Sequence, residues 1–190
     1  MINVVFIDRD GVINKNLFGD YIKDWEEFEF LPGSLHSLKL LKANGIKVIV
    51  VSNQSGVAKG LMTLEQLEDI NQNLLKAVRD YGGEIEAIYY CVHNPDDNCE
   101  CRKPKPGLFL KASKDFGIDL NMTFTVGDYI SDIEAGASVG SKTILVRTGR
   151  GEESLLNRDR WSVEPDYIVS DLSEAAEIII KSKIKNQILK

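Results

Sequence analysis

The sequence predicts an α/β fold, a doubly wound parallel sheet with helices on both faces. Three observations predict it. Short β-rich apolar runs alternate with amphipathic stretches along almost the whole chain. The first two runs, Val4 to Ile7 and Val48 to Val51, carry no interleaved polar residues, as strands buried on both faces do. Asp8, Asp10, Ser52 and Asp128 each follow a run directly, and ligands of such folds bind outside the carboxyl ends of the strands.

The elements follow in order. Val4 to Ile7 reads as a buried strand, too short and too β-rich for a helix. Asn14 to Leu31 is polar and aromatic without a clear period, a loop or small flap. Pro32-Gly33-Ser34 opens a helix with Leu35, Leu38 and Leu41 on one face, and Gly45 closes it. Lys47 to Val51 is the second strand, and Ser52 to Gly56 a polar turn. Thr63 with Gln66 forms a capping box for a helix striped by Leu64, Leu67, Ile70, Leu74 and Val78. Glu86 to Cys91 is a third strand. Pro104 and Pro106 precede a helix carrying Leu108, Phe109, Ala112 and Phe116, closed by Gly117. Thr123 to Val126 is a strand ending in Gly127-Asp128, and Ser131 with Glu134 caps a short helix. Lys142 to Val146 and Asp166 to Val169 are strands. Asp171 with Glu174 caps the last helix, and the basic tail from Lys181 is expected to fray. Residues 1–190 therefore read as a single domain, without repeat or linker.

Composition narrows the function. A net charge of −6 argues against general nucleic-acid binding, so an anionic substrate needs a local basic cluster. No apolar run is long enough to span a bilayer, and the start lacks the pattern of a secretory signal. The expected setting is the cytoplasm, with no membrane partner. Nothing marks a dimer seam, so a monomer is expected.

Asp8-Arg9-Asp10-Gly11 carries the most chemistry. Side chains alternate along a strand, so Asp8 and Asp10 share a side and Arg9 points away. Two converging carboxylates repel unless a cation or a proton lies between them. Asp8 can act as a nucleophile on phosphorus, and Asp10 can move the proton. Magnesium suits the hard oxygens of Asp8 and Asp128, with Asp10 offering its backbone carbonyl. Ser52 can hold phosphoryl oxygens and Lys103 can balance their charge. Taken singly, Ser52 and Asp128 read as turn residues, and Lys103 as a surface lysine. Asp132 reads as an acidic residue in a first helical turn, with a supporting role at most.

All three cysteines and one of the two histidines fall between residues 91 and 101. Cys91, His93, Cys99 and Cys101 form a complete tetrahedral zinc set with no position left for substrate, which reads as structural zinc. The polar loop inside it would take its order from the metal. It leads directly into Arg102-Lys103. The other histidine, His36, is expected to face solvent.

Four motifs occur in one order: Asp8-Arg9-Asp10-Gly11, Val48-Ile49-Val50-Val51-Ser52-Asn53-Gln54, Arg102-Lys103-Pro104 and Val126-Gly127-Asp128. In this they resemble the haloacid-dehalogenase (HAD) phosphatases, over roughly residues 1–175. The resemblance implies a magnesium-dependent phosphatase working through an aspartyl-phosphate. Asp8 would be its nucleophile and Asp10 its acid/base. Ser52 and Lys103 would stabilise the phosphoryl group, and Asp8, Asp10 and Asp128 would hold Mg2+. The Cys/His cluster, Asn53-Gln54-Ser55-Gly56 and Cys101-Arg102-Lys103-Pro104-Lys105-Pro106-Gly107 resemble a nearly capless branch. That branch holds the D,D-heptose 1,7-bisphosphate phosphatases and the related histidinol-phosphate phosphatases. It implies a small phosphorylated sugar as substrate, with Arg9, Asn53, Gln54, Lys59 and Arg102 contacting it. Arg150 is a further candidate for a second phosphate. Histidinol phosphate is the alternative substrate, favoured by the five residues between His93 and Cys99. A phospho-accepting signalling domain is a third reading, which the acid/base position of Asp10 opposes.

Overall fold

The computed structural model describes residues 3–188. Six parallel strands form one sheet: β1 (Val4–Ile7), β2 (Lys47–Asn53), β3 (Ala87–Cys91), β4 (Thr123–Gly127), β5 (Lys142–Val146) and β6 (Tyr167–Val169). Their order is β3-β2-β1-β4-β5-β6. The winding direction reverses between β1 and β4, which creates a crevice at their carboxyl ends. β1 pairs on both flanks, Ile7 lying opposite Val50 and Val126. The ladder continues past the strand, where the Asp8 N–H donates to the Val126 carbonyl at 2.9 Å. Asp8 is thereby held at the reversal itself.

Alternation along the strands fills two cores. Val5, Ile7, Val48, Val50, Phe124 and Val126 face α1 (Ser34–Ala43), α2 (Leu64–Tyr81) and α6 (Leu172–Ile188). Val4, Phe6, Ile49 and Val51 face α3 (Gly107–Phe116) and α4 (Ile130–Ser138). Phe6 tilts against Phe109 with ring centroids 4.9 Å apart. Helices on both faces and all-parallel strands are the predicted architecture.

Several details differ from expectation. β2 runs on through Ser52 and Asn53, because the β3 edge keeps pairing there, Ser52 opposite Tyr90 and Asn53 opposite Cys91. Leu64 and Phe116 stay exposed at the ends of their helices. The Thr63–Gln66 capping box is present. The Ser131–Glu134 box is not: Asp132 Oδ2 accepts from the Tyr129 N–H at 3.1 Å, and Glu134 accepts from the Ser162 hydroxyl. A short helix, α5 (Gly151–Leu156), was not anticipated. The last helix runs on to Ile188 where fraying from 181 was expected. Lys183 explains part of this, since its ammonium donates at 2.8 Å to the carbonyls of Asn44 and Gly45 just past α1. The final two residues of that tail lie outside the described residues.

The stretch from Asn14 to Leu31 is a flap. Its base is tied by Lys15 N–H to Glu29 and Leu31 N–H to Ile13. Stacked Trp25 and Phe28, with Phe30 edge-on, pack it against the core. Residues 16–22 then overhang the strand ends.

Candidate active site

A cleft of about 650 Å³ opens at the carboxyl ends of the strands. Asp8, Asp10, Ser52, Asn53, Lys59, Arg102, Lys103 and Asp128 all line it, as the sequence predicts. Its rim is the flap, where Phe18 is 73% exposed.

Lys103 is the hub. Its ammonium donates to Asp8 Oδ1 at 2.7 Å and to the Val51 carbonyl at 2.6 Å, and it pairs with Asp132 Oδ1 at 2.7 Å. Burial would push its pKa down, but the Asp132 and Asp8 carboxylates outweigh this and raise it. Lys103 is therefore a fixed cation. Asn53 holds the backbone of Lys103 at both ends, accepting from its N–H and donating to its carbonyl, each at 3.1 Å. Asn53 is thus a clamp on the Lys103 segment.

Asp8, Asp128 and Asp132 form one acidic group, with a carboxylate oxygen of each within 4.8 Å of the others. Burial raises the Asp8 pKa to about 6, with Lys103 opposing and Asp132 and Asp10 adding to the rise. Burial, then Asp132 and Asp8, raise Asp128 well above the usual carboxylate range. Asp132 has both oxygens engaged, by Lys103 and by the Tyr129 N–H. Asp128 Oδ2 accepts from the Arg150 N–H at 2.7 Å. Among the described residues no hydrogen bond reaches Asp8 Oδ2 or Asp128 Oδ1. Two hard oxygens that lack a donor, on carboxylates lining the cleft in a repulsive cluster, fit a magnesium ion. The backbone presses close around Asp128: a Cβ on Gly11 or Gly149 would meet its Oδ2 at 2.0 or 2.1 Å, and both glycines have positive φ.

Asp10 lies apart from this group. Its carboxylate accepts from Arg9 Nη2 at 3.0 and 3.2 Å, from Gln54 Nε2 at 2.6 Å and from Asn14 Nδ2 at 2.9 Å. Burial would raise its pKa, but the Arg9 charge and the bonds from Asn14, Arg9 and Gln54 prevail and lower it. The Asp10 side chain is therefore no member of the metal group. Any share in Mg2+ would fall to its backbone carbonyl.

The side chains of two expected substrate contacts, Arg9 and Gln54, do not line the cleft. Arg9 is 1% exposed and lies behind Asp10, with its guanidinium spent on Asp10, Gln54 and Asn71. Gln54 is also buried, donating to Ser52 Oγ at 2.9 Å as well as to Asp10. Both lie beneath the cleft and do not reach into it, as alternation away from Asp8 requires for Arg9. Asp132 is the residue sequence reasoning undervalued. Its signal was the spacing from Asp128, which brings it back under the strand end once a helix starts at residue 130. Gly127 leaves the room, since a Cβ there would meet Asp132 at 2.2 Å.

On the β3 side, Arg102 Nη1 donates to the His93 carbonyl at 3.3 Å. Lys59 Nζ lies 3.0 Å from the Tyr21 hydroxyl, which itself meets Ser55 Oγ at 2.9 Å. On the β5 side, the Arg150 guanidinium stacks 3.8 Å over the Tyr129 ring and pairs with Glu153. His36 is exposed, as expected. Cys91, His93, Cys99 and Cys101 offer four ligand atoms within 4.8 Å of one another, a group able to hold a metal ion. Their sulfurs are 3.0 to 3.6 Å apart, and His93 Nδ1 is 3.2 Å from Cys101.

Comparison with known proteins decides the kinship. A relative from Pseudomonas putida is 40% identical over 177 residues, covering 93% of this chain and 99% of its own, and is named D-glycero-beta-D-manno-heptose-1,7-bisphosphate 7-phosphatase. The chain belongs to the HAD phosphatase family. A Pseudomonas aeruginosa relative of the same name is 38% identical over 179 residues, 94% of this chain and 98% of its own. The model of the HAD-hydrolase-like family matches residues 100–175 of this phosphatase. Among solved structures, the D,D-heptose 1,7-bisphosphate phosphatase of B. bronchiseptica, complexed with magnesium and phosphate, superposes with a TM-score of 0.88. It is 34% identical and covers 95% of this chain and 99% of its own.

Proposed function

We propose that this HAD phosphatase removes the 7-phosphate from D-glycero-D-manno-heptose 1,7-bisphosphate, leaving heptose 1-phosphate. End-to-end similarity to relatives named for that reaction carries the reading. Asp8 is the nucleophile: one carboxylate oxygen attacks phosphorus and the bond from phosphorus to the sugar oxygen breaks. Asp10 delivers a proton to that oxygen. Asp10 then takes a proton from water, whose oxygen attacks the aspartyl-phosphate and breaks the Asp8–phosphorus bond. Lys103 holds Asp8 in place and, with Ser52, meets the charge of the phosphoryl oxygens. Asp8 and Asp128, through their free oxygens, and the Asp10 backbone carbonyl would hold Mg2+. When bound there, the ion would supply neutralisation of the charge on the transferred phosphoryl group.

Arg102 and Lys59 are the cations for the non-reacting phosphate, on the β3 side, with Arg150 across the cleft. Zinc is the metal of the Cys91, His93, Cys99 and Cys101 group. Thiolates about 2.3 Å from a tetrahedral zinc stand about 3.7 Å apart, close to the 3.5 and 3.6 Å separations of Cys99 from Cys101 and Cys91, while Cys91 and Cys101 lie nearer, at 3.0 Å. Zinc in that place orders the loop that presents Arg102 and Lys103. We place the enzyme in the cytoplasm as a single-domain monomer acting on a small molecule, without nucleic-acid or membrane partners. No described helix is long and apolar enough to cross a membrane.

The test is phosphate release by the purified protein from heptose 1,7-bisphosphate and from histidinol phosphate, with phosphorus NMR of the sugar product. The expected outcome is a higher kcat/KM for the bisphosphate and a surviving 1-phosphate. A preference for histidinol phosphate would overturn the substrate. A single equivalent of phosphate uptake without turnover would instead support a signalling domain.

A further inference from the structure

Arg9 is a buried, ionised group that the reaction scheme does not use. It is the largest side chain among those fully buried. Its fork grips both oxygens of Asp10, with Nη2 at 3.0 and 3.2 Å and Nε at 3.3 Å. Nη2 also donates to Gln54 Oε1 at 3.0 Å. The Gln54 amide in turn donates to Asp10 and to Ser52 Oγ. On its far side Arg9 Nη1 reaches Asn71 Oδ1 at 3.4 Å. Asn71 belongs to α2 and interrupts its apolar face, between buried Ile70 and Leu74. Its Nδ2 is buried with no partner among the described residues. A polar side chain that leaves a donor unsatisfied in a core is not there for stability. Among the described residues, the Asn71 side chain's one hydrogen bond is the bond to Arg9.

We propose that Arg9 and Asn71 are positioning residues for Asp10. A planar guanidinium held at both ends fixes the orientation of a carboxylate in a way that a point charge cannot. The α2 helix thereby sets where Asp10 stands when it takes the proton from the water that attacks the aspartyl-phosphate. Ser52, which shares the Gln54 amide, is set by the same network. The proposal rests on the proton-transfer role of Asp10.

p-Nitrophenyl phosphate separates the two half-reactions, because its leaving phenolate needs little protonation and only the water step then depends on Asp10. Asp10→Asn should give a stoichiometric burst of p-nitrophenolate followed by a slow steady state. Arg9→Lys, which keeps the charge and loses the fork, should give the same signature with the steady rate down about 100-fold, in the range of a general-base contribution. Asn71→Leu should do so more mildly, about 3- to 10-fold by the same reasoning, with KM unchanged. Because it extends the apolar stripe of α2, its Tm should hold or rise. Loss of burst and steady rate together, a rise in KM alone, or an unchanged steady rate in Asn71→Leu would overturn the proposal. If Asp10→Asn itself shows no burst, the role assigned to Asp10 fails instead.

Discussion

Lys103 and Asp132 form an ion pair almost wholly out of water, 2.7 Å from Nζ to Oδ1, with side chains 3% and 4% exposed. The pair joins the segment after the Cys/His loop to the first turn of α4, beneath the strand that carries Asp8. Leaving a buried charge wholly unpaired costs about 3–5 kcal/mol, and removal of Asp132 should cost less than that because Lys103 keeps Asp8 at 2.7 Å. Asp132→Ala should therefore lower stability by an amount below that range in a urea titration and reduce kcat with it. Asp132→Asn keeps an oxygen toward Lys103 and should recover much of the stability. Equal loss in both variants would show that the charge of Asp132 matters more than its hydrogen bond.

Asp128 is enclosed by backbone. Gly11 and Gly149 adopt positive φ and leave no room for a Cβ beside Asp128 Oδ2. Gly149→Ala strains a left-handed residue by roughly 1–2 kcal/mol and must displace the carboxylate. The expected phenotype is a higher magnesium concentration for half-maximal activity, with substrate KM at saturating magnesium much less affected. A magnesium titration of activity measures it. An unchanged titration would mean that Asp128 does not hold the ion.

What could be read from the sequence divides along a physical line. Buried parallel strands read as short β-rich, mainly apolar runs, so β1, β2, β4 and β5 and the acidic residues that follow β1 and β4 were legible. The burial of Arg9 and Gln54 was not, because a charged or hydrogen-bonding side chain in a motif reads as a ligand for substrate, whereas packing put both side chains under the cleft. Burial of an arginine depends on partners distant in sequence, here Asn71 on α2. Asp132 was hidden for a related reason. Its meaning comes from Lys103, which only the fold brings within reach. α5 is too short to show a helical period, and the tail was read by composition while Lys183 ties it to the end of α1.

The metal loop should govern the active site at a distance. Arg102 is anchored on the His93 carbonyl, and Lys105 on Asn98 and Glu100 within the loop. Stripping the metal, or Cys99→Ser, should unravel these anchors and release Arg102 and Lys103. Activity should then fall sharply even with magnesium present, and one equivalent of zinc should be lost by elemental analysis. Full activity in a zinc-free sample with magnesium would sink the link between the loop and the cleft.

Charge on the β3 side of the cleft should separate a bisphosphate from a monophosphate. Lys59 and Arg102 line that side, and the Tyr21 hydroxyl lies 3.0 Å from the Lys59 ammonium. If they meet the phosphate that does not react, they bind ground state and transition state alike. Removing them then raises KM and leaves kcat nearly intact. Arg102→Ala should raise KM for the bisphosphate about 10- to 100-fold, the range expected for a charge-assisted contact of about 1.5–3 kcal/mol. The effect of Lys59→Ala should be smaller, since its ammonium is more exposed. Neither variant should change KM much for a simple monophosphate ester. Steady-state kinetics on both substrates decide it: an equal rise in KM for both would place these cations at the reacting phosphate, and a fall in kcat alone would tie Arg102 to the placement of Lys103.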